Sequence, residues 1–317
     1  MEQRNLGTSG LRVSVVGLGC NNFGGRIDLE ATRKVVHKAL DLGITLFDTA
    51  DSYGNRGGSE QCLGEVLGDR RKDIILATKF GLPMDDEGRL KGGSRRYIMS
   101  AVEASLKRLN TDWIDLYQMH RMDPLTPIDE TLRALDDLIR QGKVRYIGCS
   151  NFSSWRMVEA LLTSRQLNLN AFASCQDHYN LLEREIEREL VPAIEAYNMG
   201  LLPFFPLASG LLTGKYQRQA PPPAGTRFGS NKAMAEKTLT DRNWQTVEHL
   251  QAFCTQHGHS LLELAFSWLA ARPGVASVIA GATRPEQLEA NVTAAGWTLS
   301  RDDMAEIDRL TLPGRHQ

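Results

Sequence analysis

The stretch FDTADSYGNRGGSE, residues 47–60, follows an apolar run, ITLF, and places Asp48, Asp51 and Tyr53 together before glycines and small polar residues take over. An apolar run that ends in a polar loop and passes into a helix near Ser59 reads as one strand–loop–helix unit. The same pattern recurs along the chain. Strands are expected at 13–19 (VSVVGLG), 44–50 (ITLFDTA), 74–80 (IILATKF), 114–120 (IDLYQMH), 144–150 (VRYIGCS), 172–178 (FASCQDH), 201–207 (LLPFFPL) and 277–281 (SVIAG). Between them, segments such as SAVEASLKRL and ETLRALDDLIRQ carry the i, i+3, i+4 apolar spacing of helices. Eight strands alternating with helices imply parallel pairing through crossover helices. Eight such units in 317 residues fit a closed (β/α)8 (TIM) barrel, a pattern shared with an open doubly wound sheet.

Two segments depart from the repeat. Residues 1–12 contain LGTSGL, a glycine-bearing turn that predicts a hairpin outside the barrel. Residues 208–238, after the seventh strand, form a long Pro- and Gly-rich loop, and loops of that length in compact domains are functional or disordered. No internal repeat or linker divides the chain, so a single domain over residues 1–317 is expected.

The formal net charge is -1, with acidic and basic residues interspersed, which argues against a nucleic-acid surface. Cys20, Cys62, Cys149, Cys175 and Cys254 are dispersed, odd in number and without metal-ligand spacing, which suits a reducing cytoplasm. No apolar run approaches the eighteen residues of a membrane span. The chain reads as a soluble cytoplasmic protein with no membrane or nucleic-acid partner and no bound metal; its oligomeric state is not legible.

In a barrel of this type the active site lies at the C-terminal ends of the strands. Those ends supply Asp48 and Tyr53 after the second strand, Lys79 at the third and His120 at the fourth. Ser150 and Asn151 follow the fifth, and Gln176 lies at the sixth. A tyrosine is a reluctant proton donor at neutral pH, so a nearby ammonium is expected to lower its pKa while an aspartate keeps that ammonium charged. A histidine in reach can orient a carbonyl oxygen. Such a set can protonate a carbonyl oxygen while its carbon receives hydride. No side chain donates hydride, so a nicotinamide cofactor is implied. A lone tyrosine, lysine or histidine is more often structural, but four coincidences at successive strand ends are not. Asp51 reads as a turn residue, and the charges of EREIERE (183–189) as a solvated helix face.

FDTADSYG, TKFG, YQMHRMDP, GCSNF, PLASGLLTGKY and RPEQLEANV, in that order over nearly the whole chain, resemble the motifs of the aldo-keto reductase superfamily. The resemblance implies an NADPH-dependent oxidoreductase that reduces aldehydes or ketones to alcohols, with NADPH preferred to NADH and Tyr53 as general acid in a tetrad with Asp48, Lys79 and His120. It places Ser150, Asn151 and Gln176 on the carboxamide and Phe204, where the family commonly has Tyr, against the nicotinamide ring. Leu207, Ser209, Gly210, Leu211 and Lys215 would form the pyrophosphate loop, with Arg227 closing over it. Gly281, Thr283, Arg284, Gln287 and Asn291 would meet the adenosine end. Gln287 stands where many members carry a basic residue. Physically, GATRPEQL predicts a helix opening with Pro285 in its first turn, a phosphate-binding feature, with Arg284 adding charge.

Substrate selection is expected from Asn21, Asn22, Phe23, Phe80, Arg121, Met122 and Phe152, around a small carbonyl compound. Arg121 either favours substrates bearing a carboxylate or phosphate or pairs with Asp123. GLGCNN (17–22) opens like a dinucleotide fingerprint but lacks its third glycine, and the next strand-end acid lies beyond the usual ~20 residues. HGH (257–259) has no third ligand. The role of His178 is open. The alternatives are a nicotinamide-binding regulatory subunit or redox sensor with slow turnover, as some family members are, and an aldolase using Lys79 as a Schiff base.

Overall fold

The computed structural model describes residues 1–312, so residues 313–317 of the expected domain lie outside the described residues. All eight expected strands form, in a closed, wholly parallel barrel. Numbering from the N-terminus, a hairpin of β1 (Gln3–Asn5) and β2 (Arg12–Ser14) precedes it. The barrel strands are β3 (Val16–Gly19), β4 (Leu46–Asp48), β5 (Ile75–Phe80), β6 (Ile114–Met119), β7 (Val144–Ser150), β8 (Ser174–His178), β9 (Gly200–Phe204) and β10 (Val278–Gly281). Closure is by β10 pairing with β3 and with β9. The expected first strand is shared between β2 and β3. The break lies at Val15, where Ser14 leaves the hairpin ladder and its hydroxyl donates to the Val16 carbonyl.

The outer layer comprises α1 (Leu29–Asp41), α2 (Tyr53–Leu67), α3 (Arg95–Leu109), α4 (Ile128–Arg140), α5 (Ser154–Gln166), α6 (Leu190–Tyr197), α7 (Arg227–Ser230), α8 (Lys232–Thr238), α9 (Asp241–His257), α10 (Leu261–Ala270), α11 (Pro285–Ala294) and α12 (Arg301–Thr311). Capping explains many boundaries: Asp28 and Ser94 cap α1 and α3, and Ser260 with Glu263 forms a capping box on α10. The long loop after β9 is not structureless; it holds a 3-10 segment at Ala208–Thr213 and the short helices α7 and α8.

Strand alternation sorts the core into two sets. Inward residues Leu46, Ala77, Leu116, Leu202 and Ile279 fill the lower barrel, and Leu6, Leu11 and Val13 of the hairpin plug it from below. The hairpin sits tightly there: a side chain on Gly7, at φ 59°, would come within 2.7 Å of the Asn198 carbonyl. Outward residues such as Phe47, Leu76, Phe80, Tyr117 and Met119 pack under the helices. Two residues further along β4, β5 and β6 the inward positions become Asp48, Lys79 and Gln118, joined by Gln176 of β8, and the apolar plug gives way to a polar floor.

EREIERE is not a solvated face throughout. Glu185 and Arg188 are exposed, but Arg184 is buried. Its guanidinium contacts Glu187 (2.7 Å) and Asp308 (2.8 Å), donates to the Thr311 hydroxyl and lies 5.0 Å from the Trp268 ring centroid. Arg272 joins the same carboxylates from the other side. The segment is a 3-10 turn (Glu185–Glu187), which points residues three apart in one direction, so Arg184 and Glu187 both face inward. This network fastens α12 to the barrel. Arg184→Ala should cost about 3 kcal/mol, the order expected on breaking a largely buried pair. Urea denaturation would show it, and a loss within 0.5 kcal/mol, as for a surface substitution, would contradict the assignment.

Candidate active site

The polar floor opens into a cavity of about 1030 Å³, at or above the upper end of ordinary small-molecule sites, which run to ~1,000 Å³. At its centre Asp48 ends β4 as the inward neighbour of the buried Leu46. Its Oδ2 accepts a hydrogen bond from Lys79 Nζ at 2.6 Å, and Lys79 also donates to the Thr49 carbonyl at 2.9 Å. Oδ1 accepts from Gln118 Nε2 at 3.1 Å and from Gln176 Nε2 at 2.9 Å. Lys79 is fully buried. Burial disfavours its ammonium, but Asp48 and Tyr53 outweigh that cost and hold its pKa above the ordinary value.

Tyr53 reaches this floor through an unusual backbone. Gly54, Asn55 and Arg56 form a left-handed turn, with φ between 59° and 66°, and Gly57 has φ 119°, so regular helix begins at about the expected Ser59. The turn lies backbone-to-backbone on the loop after β3. A side chain on Gly54 would lie 2.4 Å from the Phe23 carbonyl oxygen, and one on Gly24 would lie 2.5 Å from Gly58. Glycine is required at both positions by contact and by φ. The Tyr53 ring centroid lies 5.0 Å from Lys79 Nζ and 5.6 Å from the edge-on His120 ring.

The expected depression of the Tyr53 pKa does not occur. Burial raises it and Lys79 offsets only part of that rise, so the net shift is upward and the phenol stays protonated. Burial, with Lys79 and Arg121 adding to it, lowers His120 to about 3, so its imidazole is neutral at physiological pH. His120 Nδ1 is sealed without a partner, which leaves Nε2 as the nitrogen able to meet a bound molecule.

The expected binding residues divide cleanly. Ser150, Asn151, Gln176, Phe204, Leu207, Ser209, Gly210, Lys215, Arg227, Gly281, Thr283, Arg284, Gln287 and Asn291 all line the cavity, as do Asn21, Asn22 and Arg121. Leu211 does not; it is buried among outer-layer residues. Nor do Phe23, Phe80, Met122 and Phe152. Phe80 follows the inward Lys79 and therefore points outward, where it packs on Tyr117 at 4.7 Å; Phe152 packs on Phe172 at 5.9 Å. Arg121 is exposed on the rim, and Asp123 instead bonds to Gly93, Leu125 and Thr126. Gln287 turns back on its own helix start, its Oε1 accepting the Thr283 backbone N–H at 2.8 Å.

Several lining or floor residues were not anticipated, among them Gln118, Cys20 and Arg26. Gln118 lies two residues before His120 in β6, so period-two alternation alone would have found it. Cys20 and Arg26 line the cavity from the loop after β3, and Arg26 donates to the Gly225 carbonyl of the long loop at 2.9 Å. No sequence signal marks that contact across 199 residues. Among the described residues, no group of His, Cys, Asp and Glu is placed to hold a metal, and no helix is long and apolar enough to cross a membrane.

The lining of the cavity is strongly cationic. Arg26, Arg121, Lys215, Arg227 and Arg284 line it against one carboxylate, Asp48, which Lys79 already pairs. An elongated anion with an apolar ring to rest on Phe204 fits these walls, and a phosphate-bearing dinucleotide has that character.

Asp51 does lie in the turn before α2, yet it is a buried carboxyl whose Oδ1 has no partner. Burial, then the neighbouring Glu60, raises it to about 7. A raised folded-state value means that its stabilising contribution is fully present below about pH 4 and is lost as pH rises through about 7. Over that span the loss is on the order of 4 kcal/mol. Asp51→Asn should remove this slope, so its urea-unfolding stability should gain on wild type between pH 4 and 7.5. Parallel pH profiles would refute a protonated Asp51.

A family model described as "Aldo/keto reductase family" matches residues 15–311. The chain is 37% identical to an L-glyceraldehyde 3-phosphate reductase of Escherichia coli strain K12, over 98% of this chain and 92% of that protein. It is 37% identical to a probable voltage-gated potassium channel subunit beta of Oryza sativa subsp. japonica, over 93% and 91%, and 35% identical to an aldo-keto reductase of Bacillus subtilis strain 168, over 98% and 93%. With these matches along its length, the four strand-end side chains gathered at one cavity and the closed eight-stranded barrel, the chain belongs to the aldo/keto reductase family.

Proposed function

We propose that this single-domain barrel is an NADPH-dependent reductase of small aldehydes or ketones, working in the cytoplasm. The observation that carries the reading is the grouping of Tyr53, the buried Lys79–Asp48 pair and neutral His120 at the floor of a cationic cavity. The nicotinamide would supply hydride to the carbonyl carbon. Ser150, Asn151 and Gln176 would hold its carboxamide and Phe204 its ring. Lys215, Arg227 and Arg284, with the loop at 207–210, would hold its phosphates. Arg284 and the other cations favour the extra phosphate of NADPH over NADH.

The side chains divide the proton work. Tyr53, kept protonated by burial, donates to the carbonyl oxygen, and Lys79 stabilises the phenolate that remains. Asp48 keeps Lys79 charged, with Gln118 and Gln176 keeping Asp48 in place. Neutral His120 orients the oxygen through Nε2 without competing as an acid. Tyr53→Phe should lower reduction by about 10²–10⁴-fold, the usual value of a positioned acid, while NADPH still binds. Wild-type turnover by that variant would remove Tyr53 as the acid.

Arg121, free of Asp123 and on the rim, supports substrates bearing a phosphate or carboxylate, and the similarity to the L-glyceraldehyde 3-phosphate reductase supports the same class. Arg121→Ala should lower kcat/KM for a phosphorylated aldehyde by about tenfold, roughly 1.4 kcal/mol, and leave a neutral aldehyde little changed. Equal losses on both would end this assignment.

The similarity to channel subunits beta supports a second reading, a nicotinamide-binding regulatory subunit or redox sensor with slow turnover. Tight NADPH binding without turnover across aldehydes, ketones and sugars would favour it.

A further inference from the structure

Phe204 lines the cavity, and His178, which does not, stacks on it with ring centroids 5.5 Å apart and planes 10° from parallel. Phe205 meets both rings edge-on, at 5.6 and 5.2 Å, and holds a left-handed backbone at φ 52°. The buried Asn180 ties these groups together. Its Oδ1 accepts the backbone N–H groups of Leu182 (2.9 Å) and Glu183 (3.0 Å), and its Nδ2 donates to the Phe205 carbonyl (2.9 Å).

Those three backbone contacts fix which end of the amide carries hydrogen. The second Nδ2 hydrogen is therefore available to His178 Nε2, 3.2 Å away. A donor facing Nε2 requires a lone pair there, so the imidazole is neutral with its proton on Nδ1. Burial acts in the same direction, with Glu183 opposing it and Lys237 assisting. The adjacent Asp177 carboxylate accepts the His178 backbone N–H at 2.7 Å.

We infer that His178 and Asn180 act as a positioning pair, a flat support kept uncharged so that Phe204 can carry the oxidised, cationic nicotinamide as well as the reduced one. The inference rests on the nicotinamide reading above. A cation at position 178 would lie behind Phe204 and disfavour a second positive charge on its other side, so it would weaken the oxidised form selectively. Loss of packing alone would weaken both forms together.

Two measurements test the pair on the full chain. Nitrogen-15 NMR of the His178 ring without cofactor should show a neutral imidazole with its proton on Nδ1 at pH 7; an imidazolium or an Nε2–H tautomer overturns the inference. Fluorescence titrations with NADPH and NADP+ then compare the wild type with His178→Phe, His178→Lys and Asn180→Asp. His178→Phe, flat and neutral, should keep the wild-type ratio of the two affinities. His178→Lys and Asn180→Asp, the latter by protonating His178, should each weaken NADP+ roughly fivefold more than NADPH. The lysine variant keeps the test decisive if Asn180→Asp fails to fold. Equal weakening of both forms overturns the role of the pair while leaving the nicotinamide reading intact. A wild-type protein that binds neither coenzyme overturns both.

Discussion

The buried contact between Asp48 and Lys79 is the constraint on which the cavity depends. An ammonium with no solvent access is tolerable only when paired and fully hydrogen-bonded. Here the carboxylate uses Oδ2 for Lys79 and Oδ1 for Gln118 and Gln176, while Lys79 also reaches the Thr49 carbonyl. Four strands, β4, β5, β6 and β8, thus meet at one carboxylate. Their relative register cannot slip by one residue without turning a charged or amide side chain into the apolar helix layer.

The same alternation explains why a polar floor can rest on an apolar plug. Leu46, Ala77 and Leu116 precede Asp48, Lys79 and Gln118 by two positions each, so these three strands change character at one height. Above that height, the walls come from loops. The glycine contact between the loop after β3 and the turn after Tyr53 sets the tyrosine against Lys79, and the Arg26 contact to Gly225 joins the rim across the mouth. The strands build the hydrogen-bonded floor, and the loops set the charge of the walls above it, in keeping with the division usual for this fold.

The eight strands and the four strand-end side chains were legible because both follow from the recurring step from apolar run to polar loop. What escaped was the direction of side chains at and just beyond the strand ends. Phe23, Phe80, Met122 and Phe152 lie beside site residues in sequence, yet none reaches the cavity. Arg184 looked like one charge among many, but a 3-10 turn directs it inward onto Trp268 and Asp308. Tyr53 carried the expected neighbours, but the extent of its burial decided the sign of its shift.

The amino-acid sequence by itself determined the eight strand–helix units and the hairpin before them, because these depend on local periodicity and turn residues, and it marked Asp48, Tyr53, Lys79 and His120 as candidate site residues. Tertiary structure alone decided that Asp51 is a buried acid near neutrality, that His178 is backed by a keyed amide, and that five basic side chains converge on one cavity. Those properties arise from contacts between residues distant in sequence. Burial and local dielectric are set by everything that packs around a group, and no local pattern encodes them.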